Sequence, residues 1–392
     1  MVHRMGLTGD EAVAYATKQS TVDVVAAYPI TPQTIIVELF SEYVANGEVH
    51  TSFVCVESEH SAISACVGAS LTGARVMTAS ASQGLALMHE ILYIASSLRC
   101  PIVMGVANRA LSGPINIHGD HSDMMGSRDC GWIQIYAENA QEAYDWTLQA
   151  FRIGEDPNVL LPVTVNLDGF ILSHAMEDVE VLSDEDVKKF LPPRKATFSI
   201  NPSKPSTVGA LALPDYYFEF KKQQDEAMQQ VPETLLKISK EYAKTSKRNY
   251  GILQPFEMKD AETAIISLGS TSGTVRTVAE TLRAKGHKVG TVKISMYRPF
   301  PTRELLETLQ NVKSVVVLDK ALSFGAQYGA LCEDVVAALY GAQNKPRILN
   351  VIYGLGGRDI TTSEIESLFE EGLKMAKTGK LTQPVKFLGV RE

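Results

Sequence analysis

Three residues in the first part of this 392-residue chain have side chains suited to acid–base and carboxylate chemistry, and each stands just after an apolar run. Glu59 lies where a strand-like segment gives way to a helix-like one. A carboxyl there could share a proton with a bound heterocycle, and partial burial would suit it by raising its pKa towards neutrality. The plain alternative is that Glu57 and Glu59 only complement the positive end of a helix. Thr31 sits between Pro29 and Pro32, which stiffen the turn and fix where its hydroxyl points. That hydroxyl could bond a substrate oxygen, or it could be turn chemistry alone. Arg109 follows the apolar run Pro101 to Ala107, and its planar fork matches a substrate carboxylate. An ion pair with Asp120 or Asp123 in the following loop is the structural alternative. His118, Asp120, His121 and Asp123 invite a metal reading, although neighbouring His and Asp on a loop are more often satisfied by hydrogen bonds.

The elements that must position these residues follow an α/β rhythm. Val22 to Tyr28, His50 to Val56, Ala74 to Ala79, Ile102 to Val106 and Leu160 to Asn166 read as strands with helical stretches between most of them. This predicts a parallel sheet covered on both faces, a doubly wound unit. In such a sheet the loops after successive strands converge on one edge, where ligands bind. The loops Tyr28 to Thr34, Glu57 to Ser61, Ser80 to Gly84 and Asn108 to Gly131 would meet there. The helix around Ser61 to Ser70 is rich in small residues and suits close packing, including packing across a subunit interface.

From Asp184 to Pro255 seven of the 17 prolines fall among charged residues. That density predicts an extended excursion with one amphipathic helix, Pro232 to Lys247, serving to wrap a neighbouring domain or subunit or acting as a linker. Beyond Asp260 the rhythm returns. Strands are expected at Thr263 to Leu268, Lys288 to Ile294, Ser314 to Leu318 and Arg347 to Val351, and helices at Gly273 to Lys285, Arg303 to Leu309, Ala326 to Tyr340 and Thr362 to Met375. The chain thus divides into two doubly wound units, 1–255 and 256–392. The Gly269 to Gly273 turn is either an ordinary strand-to-helix turn or a phosphate site at a helix N-terminus.

Composition narrows the function. With 45% apolar and 21% charged residues, the chain has an ordinary globular make-up. A net charge of -8 without a Lys/Arg cluster argues against nucleic acid as partner. No apolar run approaches the roughly 20 residues that span a bilayer, and the start carries no secretory pattern, so a cytoplasmic protein without membrane contact is expected. The five cysteines are scattered with no Cys-x-x-Cys, so no iron–sulfur cluster or structural zinc is expected in this chain, and most read as buried small apolar residues.

Taken together, Thr31, Glu59 and Arg109 read as half of a thiamine diphosphate site. The Gly-Asp-Gly and later Asn that bind magnesium and diphosphate do not occur, which points to one subunit of a larger enzyme. Tyr-Pro-Ile-Thr-Pro at 28 to 32, Glu-Ser-Glu-His-Ser-Ala at 57 to 62, Ala-Ser-Gln-Gly-Leu-Ala-Leu-Met at 81 to 88, Asn-Arg-Ala-Leu-Ser at 108 to 112 and Tyr-Arg-Pro-Phe-Pro at 297 to 301 occur in order. In these the chain resembles the α subunits of multisubunit 2-oxoacid:ferredoxin oxidoreductases. The run Pro-Ile-Asn-Ile-His-Gly-Asp-His-Ser-Asp at 114 to 123 is most similar to the pyruvate branch, the pyruvate synthases.

The resemblance implies a pyrimidine-binding unit followed by a transketolase C-terminal-like unit. It implies that Tyr28, Ile30, Thr31, Glu59, Ser82 and Gln83 border thiamine diphosphate, that Glu59 activates it, and that Thr31 and Arg109 contact the 2-oxoacid. A β subunit would carry the diphosphate, Mg2+ and a [4Fe-4S] cluster, and γ and δ subunits further clusters and coenzyme A contacts. The implied reaction is pyruvate plus coenzyme A plus oxidised ferredoxin giving acetyl-coenzyme A, carbon dioxide and reduced ferredoxin, reversibly. Three rivals remain: a branched-chain 2-oxoacid enzyme of the same kind, the β subunit of a 2-oxoacid dehydrogenase E1 component, and a non-catalytic scaffold.

Overall fold

The structure, a computed structural model, describes residues 3–391. The first part runs β1 (His3–Leu7), α1 (Gly9–Gln19), β2 (Val24–Ala27), α2 (Thr34–Ala45), β3 (Ser52–Cys55), α3 (Glu59–Leu71) and β4 (Val76–Ser80). It continues α4 (Ser82–Leu87), α5 (His89–Ser97), β5 (Ile102–Asn108), α6 (Ser122–Gly126), β6 (Ile133–Tyr136), α7 (Ala140–Glu155), β7 (Val163–Asp168) and β8 (Glu177–Val181). Three helices follow: α8 (Asp184–Phe190), α9 (Pro214–Gln229) and α10 (Val231–Ser246). The last part holds β9 (Leu253–Phe256), β10 (Thr263–Ser267), α11 (Thr271–Ala284), β11 (Val289–Ile294), β12 (Met296–Arg298) and α12 (Thr302–Leu309). It ends with β13 (Ser314–Asp319), α13 (Ala330–Leu339), β14 (Arg347–Ile352), α14 (Thr362–Thr378) and β15 (Val385–Phe387).

A seven-stranded sheet in the order β12-β6-β7-β5-β4-β2-β3 organises the first unit, and every pairing in it is parallel except β12 with β6. Its central strands are fully or nearly fully buried on both faces; β2 and β5 are almost wholly apolar, while β4 and β7 interleave buried Thr, Ser, Asn and Asp with Val, Met, Ala and Leu. Ile102 and Met104 of β5 point into a core with Ile63, Leu85 and Leu92 of α3 to α5. Val103 points to the opposite core with Val13, Ile36 and Trp146 of α1, α2 and α7. The second sheet, β15-β14-β13-β10-β11-β9, is likewise parallel apart from β9 and sandwiched between α12 and α13 on one face and α11 and α14 on the other. β1 and β8 form a separate antiparallel ladder.

The expected central strands are all present. β1, β6, β8, β9, β12 and β15 go beyond them: these are short, and several carry too few apolar residues to announce a strand. The excursion after Asp184 is a correction. The expected helix is present as α10, but α8 and α9 stand beside it, and α10 packs Val231, Leu235, Ile238 and Tyr242 into the first unit's own core. α9 gives no periodic signal because Tyr216, Tyr217, Phe218 and Phe220 crowd its start, and all four are exposed. Four cysteines are buried and Cys55 is exposed on edge strand β3. No helix among the described residues is long and apolar enough to cross a membrane.

β12, from the middle of the second half of the chain, supplies the edge of the first sheet and includes the Tyr297 and Arg298 of the Tyr-Arg-Pro-Phe-Pro motif. The seam between the units is ionic as well as apolar. Buried Lys293 on β11 pairs with Glu138 and Glu142, and buried Lys320 pairs with Asp168 at the end of β7, 3.1 Å away.

Candidate active site

The loops leaving β2, β3, β4 and β5 meet at the carboxyl edge of the first sheet. β3 ends at Cys55, and Ser58 caps α3 by accepting the Ser61 amide at 3.3 Å, which places Glu59 in the first turn of the helix. Glu57 bonds the Ser61 hydroxyl from the solvent side. Glu59 turns the other way and is 6% exposed, with no hydrogen-bond or ion-pair partner among the described residues. Its Oε1 lies where a Cβ on Gly84 would come within 2.5 Å, and Ser80 Oγ would be 2.7 Å from the same point. The pocket for this carboxyl therefore depends on a glycine in α4.

Arg109 is also buried, at 7% exposure, and the expected alternative of an ion pair with Asp120 or Asp123 does not occur. Its Nε donates to the Asn116 carbonyl at 2.8 Å and Nη1 to the Thr31 carbonyl at 3.0 Å. Nη2 has no protein partner among the described residues. Thr31 and Arg109 are thus brought together. The Thr31 side chain remains exposed, and its hydroxyl bonds nothing among the described residues. Tyr28 is held through its carbonyl by Gln33 at 2.9 Å; it and half-buried Ile30 share the Thr31 loop but make no hydrogen bond to Arg109.

Ser82 opens α4 with a φ of 47°, a left-handed conformation that needs support in a non-glycine residue. Its hydroxyl bonds the Ala110 carbonyl at 2.5 Å and contacts Gln83 Oε1 at 2.6 Å, while its amide donates to Asp123 Oδ2 at 2.9 Å. The same oxygen accepts the Arg109 amide at 2.9 Å. The sequence marks Asp123 only as a candidate metal ligand or salt-bridge partner. Its four hydrogen bonds make it a junction between loops, which no local pattern announces.

The other members of that group also have separate tasks. Asp120 accepts from Ser122 and from the Gly356 amide of the second unit at 3.1 Å, and His121 Nε2 lies 2.7 Å from Asp168. No group of three or more His, Cys, Asp or Glu able to hold a metal ion occurs among the described residues, so the metal reading of this loop has no support. Asp168 also fills the Gly269 turn: its Oδ2 accepts the Ser270 amide at 2.7 Å and hydroxyl at 2.6 Å. Gly269 has φ +64°, and a Cβ there would sit 2.6 Å from Asp168 Oδ2. The protein's own carboxylate thus occupies the place considered for phosphate. Burial would raise the Asp168 pKa, but Lys320 and His121 outweigh it and hold the carboxyl well below its ordinary range.

Thiamine diphosphate fits these residues at its pyrimidine end. The Glu59 carboxyl, buried against Gly84 and without a partner among the described residues, is free to accept or share a proton with a cofactor nitrogen. Among solved structures, a 2-oxoglutarate:ferredoxin oxidoreductase from Magnetococcus marinus matches with a TM-score of 0.74 at 20% identity, covering 95% of this chain and 65% of that one. A split-gene transketolase matches with a TM-score of 0.55 at 12% identity, over 95% of this chain and 100% of that one. Both likenesses are of fold alone, and they set the chain among α/β proteins of this architecture.

Family models narrow the class. "Pyruvate flavodoxin/ferredoxin oxidoreductase, thiamine diP-bdg" matches residues 15–240, and "Pyruvate:ferredoxin oxidoreductase core domain II" matches residues 261–365. The pyruvate synthase subunit PorA of Thermotoga maritima is 53% identical over 100% of this chain and 99% of its own length. PorA of Methanocaldococcus jannaschii is 47% identical over 92% of this chain and 93% of its own length. The ketoisovalerate oxidoreductase subunit VorA of Pyrococcus abyssi is 44% identical over 97% and 96%. The chain belongs to the pyruvate:ferredoxin oxidoreductase family, as a subunit of a multisubunit oxidoreductase with a thiamine diphosphate-binding domain.

Proposed function

We propose that this chain is the α subunit of a pyruvate:ferredoxin oxidoreductase, active only with its partner subunits. Residues 1–255, whose sheet is completed by β12, form the pyrimidine-binding unit, and 256–392, whose sheet begins at β9 across that boundary, the transketolase C-terminal-like unit. Thiamine diphosphate, when bound, supplies the nucleophilic carbon for decarboxylation and the sink for the electrons left behind. Glu59 shares a proton with N1' of its pyrimidine, and Tyr28, Ile30, Ser82 and Gln83 border the ring. Arg109 holds the substrate carboxylate and the Thr31 hydroxyl bonds a substrate oxygen. Arg109 must not grip the carboxylate so tightly that its loss slows, because uniform binding does not accelerate chemistry. A β subunit carries the diphosphate, Mg2+ and a [4Fe-4S] cluster; γ and δ subunits pass electrons to ferredoxin and help bind coenzyme A.

The observation that carries this reading is Arg109, a buried guanidinium that among the described residues meets only backbone carbonyls. A buried cation lacking an anion is costly, and a 2-oxoacid carboxylate supplies the missing charge. In the assembled complex, Arg109→Ala should lower kcat/KM for pyruvate at least about 30-fold, from the loss of roughly 2 kcal/mol or more of charged hydrogen bonding. Arg109→Lys should be nearly as damaging, because a point charge cannot reproduce a fork. Full kcat/KM in the lysine variant would sink the assignment. A branched-chain substrate is kept as a second reading, since the Pyrococcus abyssi PorA and VorA subunits are 43% and 44% identical to this chain. Rates with pyruvate, 2-oxobutyrate, 2-oxoisovalerate and 2-oxoglutarate decide between them.

A further inference from the structure

Asp123 is 3% exposed and has no cation paired to it among the described residues. Four N–H groups satisfy it instead. Oδ1 accepts from Asn108 Nδ2 at 2.9 Å and from the Met124 amide at 2.7 Å, and Oδ2 accepts the amides of Ser82 and Arg109, both at 2.9 Å. The last two donors belong to different loops. Ser82 begins the turn that includes Gly84, against which Glu59 lies, and Arg109 begins the loop after the neighbouring strand β5. A single oxygen therefore joins the cofactor side of the site to its substrate side.

We infer that Asp123 is a positioning residue for the 2-oxoacid reaction: Oδ2 fixes Arg109 relative to the Ser82–Gly84 turn, and so relative to Glu59. The inference rests on the substrate role proposed for Arg109. A carboxylate used only for packing is a poor choice at this depth, because burying a charge without a counter-ion costs more than burying a neutral group of similar shape. Its geometric merit is that each carboxylate oxygen can take two donors at once, whereas an amide offers one such oxygen and a donor that would face other donors. Burial pushes the carboxyl up to about 6 against the pull of its four N–H donors, so it is ionised when assayed above neutrality. The left-handed Ser82 supports the same role. Its amide and hydroxyl bonds to Asp123 and Ala110 are what hold that conformation in place.

The test is a double-mutant cycle in the assembled, cofactor-loaded complex, measuring KM and kcat for the 2-oxoacid in Asp123→Ala, Asp123→Asn, Arg109→Ala and the two double variants. Asp123→Ala should raise KM at least about tenfold, and Asp123→Asn should raise it less, because one oxygen can still reach Ser82 and Arg109. In the Arg109→Ala background either change should add less than about twofold, since there is no longer a guanidinium to misplace. KM penalties that multiply, or a fall in kcat with KM unmoved, would show that Asp123 only supports the fold and would overturn the inference. Should Asp123→Ala fail to assemble, the asparagine cycle decides the matter by the same two criteria. An Arg109→Ala complex with unaltered KM overturns the substrate reading of Arg109 itself, a result distinct from the failure of Asp123 as a positioning residue.

Discussion

Glu57 and Glu59 occupy one turn and do opposite work. Glu57 lies in solvent, where its bond from the Ser61 hydroxyl lowers its pKa; Glu59 is enclosed by the Gly84 turn. Gly84→Ala would put a methyl 2.5 Å from Glu59 Oε1. The same methyl would lie 2.7 Å from the buried Ser80 hydroxyl, so both side-chain ends must shift and proton sharing would be lost with the shift. Both Gly84→Ala and Glu59→Gln should slow exchange of the cofactor's C2 proton at least about 100-fold, the scale of a positioned acid–base group. NMR exchange rates in the two complexes check this, and a wild-type rate in either variant would remove Glu59 from the role. Thr31, Glu59 and Arg109 stand out in the sequence as candidates because their side chains advertise their chemistry and their motifs come in order. Gly84 and Asp123 cannot be read that way, because what each does depends on residues brought beside it from other strands.

The excursion after Asp184 separates two kinds of helix. In α10, Val231, Leu235, Ile238 and Tyr242 recur at spacings of a helical stripe and are all buried. Its end is fastened too, since Tyr242, Arg248 and Tyr250 converge on buried Asp145 of α7. Leu235→Ala should therefore cost about 2–5 kcal/mol of stability, whereas Phe218→Ser on α9, where the ring is 76% exposed, should stay within about 0.5 kcal/mol. Urea unfolding followed by tryptophan fluorescence, to which Trp146 in the same core as α10 contributes, distinguishes them. Equal losses would mean that α9 is packed like α10. This contrast explains what the sequence reveals of the region: α10 has a period to read, and α9 has none.

Over the whole molecule, the two units are legible as a repeating rhythm of strand and helix, but their seam is not. Asp168, Lys293 and Lys320 look like ordinary surface charges until the units meet around them. Asp168→Asn would leave buried Lys320 without its anion, a loss of about 3–5 kcal/mol. The folded-state pKa of Asp168 lies below that of an unfolded aspartate, about 3.9. Its contribution is therefore complete above that value and disappears as pH falls through the folded one. The stability advantage of wild type over Asp168→Asn should hold from neutral pH to about pH 4 and shrink below. Denaturation midpoints of both proteins across that range check the sign, and an advantage that grows on acidification would contradict it.

The placement of β12 has a consequence for how the protein is made. Synthesis delivers the N-terminal end first, yet the first sheet lacks its last strand until residues 296–298 leave the ribosome, with about three quarters of the 392 residues already translated. Until then β6 presents an open edge, the kind of surface on which one nascent chain can pair with another. Completion of the unit that bears Glu59 and Arg109 is thus tied to translation of the second unit. A ribosome that stalls before Met296 leaves behind a chain with its candidate catalytic residues translated and its sheet unfinished.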